Sequence, residues 1–188
     1  MDMHCLIDSE IITKRSVLAQ HALDEFCRET SLIIQTTVET DVPTRIAELL
    51  PKLVHVPNLL TEKECTAPNG GYGRNNVYIC PTNAFSILSM VWPAGIETPI
   101  HDHRDWCALG VYEGEIEECY FTNRDPDVVE RTSLSVHKKG NCNALPWGAP
   151  NIHRIANRTG YRAISIHVYG GNCERQGPNV DSFYSLDN

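Results

Sequence analysis

Apolar positions recur at two different periods along this chain, and the change of period divides it. From about Arg15 to Glu29, Val17, Leu18, Ala22, Leu23 and Phe26 fall at helical spacing, and Val42 to Val54 repeats the pattern with Ile46, Leu49, Leu50 and Leu53. Asp41 is placed to cap the second helix, with Pro43 in its first turn. From Asn75 onward the texture turns to short β-rich runs: 77–80, 85–92, 107–112, 116–121, 133–137 and 163–169, punctuated by Gly, Pro and Asn. Many short strands at such spacing predict a sandwich or barrel. The N-terminal helices are then a cover over it rather than an independent unit, so residues 1–188 are expected to form one domain, with 1–70 as helical cover and 71–188 as β-barrel core.

Composition narrows the partners. A chain of 188 residues, 41% hydrophobic, suits one domain with a sizeable core. The net charge of -8 argues against nucleic acid and anionic membranes, leaving small molecules as the expected ligands. The start, Met1-Asp2-Met3-His4-Cys5, lacks the basic flank and apolar run of a signal peptide, and no stretch has the roughly 18 apolar residues of a membrane span, so a cytoplasmic location is expected. The eight cysteines form no C-x-x-C pair, and most are expected to be free thiols. Nothing in the sequence chooses between monomer and homodimer.

The candidate chemistry begins with His101 and His103. One residue apart on an extended strand, they point to the same side and can grip one metal ion, and His153 on a paired strand would complete a facial site. Asp102 between them points the other way. Three imidazoles suit Fe(II), Zn(II), Cu or Ni, and an octahedral ion held on one face keeps up to three positions open. A second constellation is Ser165, His167 and Tyr169, which alternation also places on one face. Three polar groups in succession on a buried strand need partners, and the pattern reads as a hydrogen-bond relay. His4, His21, His55 and His137 lack ligand-like spacing and are expected to be surface or ordinary hydrogen-bonded residues; Trp147 is expected to pack beside the site.

The glycines around these residues carry a resemblance. Gly95, His101, His103, Cys107 and Gly114 are similar to the first cupin motif, with cysteine where glutamate is usual; Gly140, Pro146, Trp147, Gly148, His153 and Asn157 are similar to the second, with four residues between glycine and histidine where two are usual. The missing glutamate points to three neutral imidazoles without a carboxylate. Together with Arg74 and the 165–169 run, the set resembles the cysteine dioxygenase and 3-mercaptopropionate dioxygenase family of thiol dioxygenases, over roughly residues 70 to 173. The resemblance implies a mainly β fold, a cupin double-stranded β-helix (jelly-roll) barrel with N-terminal α-helices. It implies Fe(II) on His101, His103 and His153, and conversion of a small thiol carboxylic acid and O2 to a sulfinic acid.

It also implies roles for other residues. Arg74 matches the family arginine that binds the substrate carboxylate, which favours cysteine, because a glutamine usually stands there in the 3-mercaptopropionate enzymes. The runs His103-Arg104-Asp105-Trp106 and Tyr169-Gly170-Gly171-Asn172 look instead like the bacterial mercaptopropionate branch, where Arg175 lies near that branch's own carboxylate-binding arginine. Two arginines would also suit mercaptosuccinate. Tyr169 would stand over the open metal positions with His167 and Ser165 behind it. Cys107 matches the cysteine that animal enzymes of the family link covalently to the tyrosine; a free buried thiol is the other reading. A non-catalytic cupin binding a small acid or metal, and a cupin with another metal-dependent chemistry, are the competing functions.

Overall fold

A serine opens the first helix. The Ser16 hydroxyl accepts from the Ala19 N–H at 3.1 Å, and α1 runs over Val17–Thr36. The computed structural model describes residues 14–125, 128–145, 151–176 and 180–186, with the side chains of 175 and 176 outside that description. His4, Cys5 and the rest of the N-terminal motif, and Pro146, Trp147 and Gly148, also lie outside the described residues. The helix outlasts the expected end at Glu29 by seven residues, because Ile33 and Ile34 extend its apolar stripe onto the core. Its buried face is Ala19, Leu23, Phe26, Cys27 and Thr30, whereas Val17 and Leu18 are exposed.

The second helical stretch is two helices, α2 (Val42–Leu49) and α3 (Pro51–Val54), rather than one. Pro51 has no N–H to donate and its ring collides with the preceding turn, so the helix restarts with the proline in its first turn. Pro43 stands in the first turn of α2 as expected, but the Asp41 side chain makes no capping hydrogen bond.

These helices lie on a five-stranded sheet. Its strands are β1 (Gly73–Ile79), β2 (Phe85–Trp92), β4 (Cys107–Glu113), β7 (Cys142–Leu145) and β9 (Ala163–Gly170), in the order β1-β2-β9-β4-β7. Strands β2 and β9 are buried at every position. Their outward residues Ile87, Val91, Ile164, Ile166 and Val168 meet Leu23, Ile46, Leu50 and Leu53 of the cover. Gly110 permits this approach: a Cβ there would stand 2.8 Å from Val54 Cγ1 and 3.0 Å from Cys142 Sγ.

The second sheet holds β3 (Ile100–His103), β5 (Glu115–Asp125), β6 (Val128–Lys138), β8 (Ile152–Ala156) and β10 (Val180–Leu186), in the order β10-β3-β8-β5-β6. It closes where β10 and β6 meet in parallel at Ser185↔Val128 and Leu186↔Val129. Between the sheets, Leu88, Met90, Trp92, Leu109, Val111, Ile116 and Ile155 form the interior. This mainly β architecture is a double-stranded β-helix barrel with N-terminal helices. Among the described residues no helix is long and apolar enough to cross a membrane, and the seven described cysteines are free thiols.

Candidate metal centre and its cavity

His101 and His103 come from β3, and β8 pairs with it so that His153 stands directly opposite His101. One ring nitrogen of each lies within 4.8 Å of the others, and His103 Nε2 is 2.8 Å from His153 Nε2. Two of the rings have their proton positions fixed from behind. His101 Nδ1 lies 2.9 Å from the Pro99 carbonyl and His153 Nδ1 lies 2.7 Å from Glu118 Oε1. Both partners only accept, so each Nδ1 carries the hydrogen and each Nε2 turns a lone pair toward the common centre. Burial, and then the neighbouring His153, push the His101 pKa down to about 4, which keeps it in the neutral, ligating form. Ligands at right angles on bonds of about 2.0–2.1 Å stand roughly 3 Å apart, which matches the 2.8 Å separation. With one pair at that spacing and all three ring nitrogens within 4.8 Å, the trio could hold a metal ion.

Glu118 on β5 is the site residue that the sequence reading missed. It is wholly buried, and its carboxylate accepts from His153 Nδ1 at 2.7 Å, Tyr120 Oη at 2.6 Å, His137 Nε2 at 2.9 Å and Asn143 Nδ2 at 3.1 Å. Burial alone would raise its pKa, but hydrogen bonds from His137 and His153 outweigh it and hold the carboxyl well below the usual range. A carboxylate thus serves the centre from behind a ligand, although Cys107 occupies the position of the usual glutamate. Its signal was the inward alternation Ile116, Glu118, Tyr120, hidden because Glu115 and Glu117 make the stretch resemble a solvated acidic run. His137 is hydrogen-bonded, as expected, and so belongs to the centre's support. Asp102 does point away, accepting from the Ser182 N–H at 2.7 Å and the Tyr184 hydroxyl at 2.8 Å.

Strand β9 brings Ser165, His167 and Tyr169 to the inner face. Ser165 Oγ is 2.8 Å from His167 Nε2, His167 Nδ1 is 3.0 Å from Tyr169 Oη, and Trp92 Nε1 donates to Ser165 Oγ at 2.9 Å. Burial drives the His167 pKa down to about 3 and raises the Tyr169 hydroxyl well above its ordinary value. Cys107 pairs with Tyr169 across β4 and β9, its sulfur 3.8 Å from His167 Nδ1; burial, and then Glu118, raise its thiol pKa.

Arg74 on β1 faces the same small cavity, of about 40 Å3, as the three histidines, His167 and Tyr169. Its Nη2 is buried and has no hydrogen-bond partner, so this is not the solvated arginine that the residue type usually gives. Arg175 falls on the short helix α4 (Cys173–Gln176), and its side chain lies outside the described residues.

Several solved structures are similar in part. A double-stranded β-helix domain protein from Klebsiella pneumoniae is 18% identical, with a TM-score of 0.48 over 68% of this chain and 92% of that one. Oxalate oxidase in complex with the substrate analogue glycolate is also 18% identical, with a TM-score of 0.48 over 65% of this chain and 62% of that one. The TT1209 protein of Thermus thermophilus is 14% identical, with a TM-score of 0.45 over 58% of this chain and 92% of that one. The family model of cysteine dioxygenase type I matches residues 67–175, more than half of the chain and including the three histidines, Arg74, Cys107 and the 165–169 relay, and the chain belongs to that family.

Proposed function

We propose that this protein is a non-haem Fe(II) thiol dioxygenase that converts a small thiol carboxylic acid, cysteine first among the candidates and 3-mercaptopropionate second, with O2 to its sulfinic acid. The overall reaction balances as R–SH plus O2 giving R–SO2H. The observation that carries it is the unpartnered, buried Arg74 Nη2 in the same cavity as the three-histidine face.

His101, His103 and His153 would hold Fe(II), which supplies the redox capacity that lets triplet dioxygen react with a thiolate sulfur. Arg74 binds the substrate carboxylate through its guanidinium N–H groups and sets the reach of the thiol toward the histidines. The small cavity favours a compact acid over a bulky one. Tyr169 offers its hydroxyl to the bound substrate or oxygen, steadied by His167 and Ser165. Glu118 orients the His153 ring by accepting its Nδ1–H. Cys107 borders Tyr169 and shapes that side of the site.

Oxygen consumption by the Fe(II)-loaded protein with cysteine, 3-mercaptopropionate and mercaptosuccinate in parallel tests this reading. Uptake should match sulfinate formed and vanish in His153→Ala. Absence of uptake with all three, with iron bound, would turn the assignment toward a binding protein or another cupin chemistry.

A further inference from the structure

Hydrogen bonds have a direction, and the relay behind the cavity has a group at its far end that can act in only one sense. An indole N–H donates and never accepts. Trp92 is fully buried, and its Nε1–H is 2.9 Å from Ser165 Oγ. Ser165, also fully buried, has one proton of its own, and His167 Nε2 at 2.8 Å is the acceptor available to it among the described contacts. If His167 Nε2 carried a hydrogen instead, Ser165 Oγ would receive two donors and its own proton would point at no acceptor in a buried site.

We propose that the Trp92–Ser165 pair fixes His167 as the Nδ1–H tautomer, and so makes Tyr169 a hydrogen-bond donor toward the cavity. The proton order is Trp92 N–H to Ser165, Ser165 O–H to His167 Nε2, and His167 Nδ1–H to Tyr169 Oη. With its oxygen already accepting from His167, Tyr169 turns its own proton the other way. Among the described residues, Tyr169 neighbours the weakly accepting Cys107 sulfur and lines the cavity that a ligand would fill. A carboxylate, thiolate or oxygen ligand is the better acceptor. In the reverse order Tyr169 would give its proton to His167 and present only lone pairs to an anionic ligand, which would repel it. Trp92 also lines the cavity and packs on Tyr72 with ring centroids 5.2 Å apart, but in this chain its part is that of a positioning residue. The ligand that benefits is the one in the proposed thiol oxidation; the tautomer itself is a property of the protein and is read without turnover.

The test is nitrogen-15 NMR of histidine-labelled full-length protein loaded with diamagnetic Zn(II), the His167 signals being assigned by their loss in His167→Asn. Wild type should show Nδ1–H over Nε2–H by at least about tenfold, the ratio expected when the alternative orphans a buried donor. Ser165→Ala, which removes the hydroxyl that donates to Nε2, should lower that ratio several-fold, and Ser165→Thr, which keeps the hydroxyl, should restore it. Trp92→Phe should lower the ratio several-fold, because Ser165 Oγ then has a lone pair for which His167 can compete. An Nε2–H tautomer in wild type, or an unchanged ratio in Ser165→Ala, would overturn the proposal. An unchanged ratio in Trp92→Phe would remove Trp92 from it. A protein that failed to oxidise thiols yet gave the expected tautomers would refute the proposed function and leave this inference standing.

Discussion

Replacing Glu118 by glutamine removes one charge from the barrel interior while keeping size and shape. The side-chain carbonyl can still accept from His153, but the new amide donates toward Tyr120, His137 and Asn143, which are themselves donors to the carboxylate. The Tyr120 hydroxyl and a neutral His137 ring can reverse and accept, whereas the Asn143 amide keeps its bond to Tyr120 Oη at 2.7 Å. Hydrogen bonds to a charged group contribute about 1.5–3 kcal/mol each, so with partial reorganisation the loss should be about 2–4 kcal/mol in urea unfolding. The His153 ring, no longer held by a charge, should bind metal about 10- to 100-fold more weakly in a competition titration. A pH dependence follows. The Glu118 carboxyl is depressed in the folded protein, so its stabilisation is complete above its unfolded value of about 4.3 and is lost as pH falls toward the folded one. The stability gap between wild type and Glu118→Gln should be flat from neutral pH to about pH 5 and narrow below that. Wild-type metal affinity in the variant, or a gap that widens in acid, would refute this account.

Arg74→Ala should raise KM for the best thiol acid by about 10- to 100-fold, the equivalent of one charged hydrogen-bond pair, with Arg74→Lys between the two; unchanged kinetics would remove the arginine from carboxylate binding. Ile46→Ala, at a fully buried contact between the cover and the sheet, should cost about 2–5 kcal/mol in urea unfolding. Metal added at about 100 times its dissociation constant should stabilise the protein by about 2.7 kcal/mol, seen as a rise in Tm, and His153→Ala should show no rise.

Much of this was legible in the chain. The 85–92 strand matches its expected bounds end to end, because a strand buried on both faces reads as mostly apolar, here with only Ser86 and Ser89 between the hydrophobic residues. The HxH spacing placed two imidazoles on one side, and alternation placed 165, 167 and 169 together, since both follow from the two-residue period of a strand. Three strands were hard to see. Strand β7 is only Cys142–Leu145, β8 carries a histidine and an arginine among its five residues, and β10 is largely exposed, so none shows a clear apolar pattern. The break at Pro51 was written in the sequence but outweighed by the apolar spacing on either side. The roles of Glu118 and Trp92 were hard to read for a different reason. Their importance lies in what stands beside them on the neighbouring strand, His153 for one and Ser165 for the other, and such pairings come from register rather than from local pattern.

Asp102 sits between two histidines of the candidate metal centre and faces outward, where it holds the backbone of Ser182 and the hydroxyl of Tyr184. One short strand is therefore placed to hold an ion on one side and holds the C-terminal strand on the other. Ordering either partner favours the arrangement of β3 that the other requires, and the benefit is reciprocal. The C-terminal strand can thus act as a gauge of the centre, with the Ser182 amide exchanging its hydrogen more slowly once the histidines are loaded.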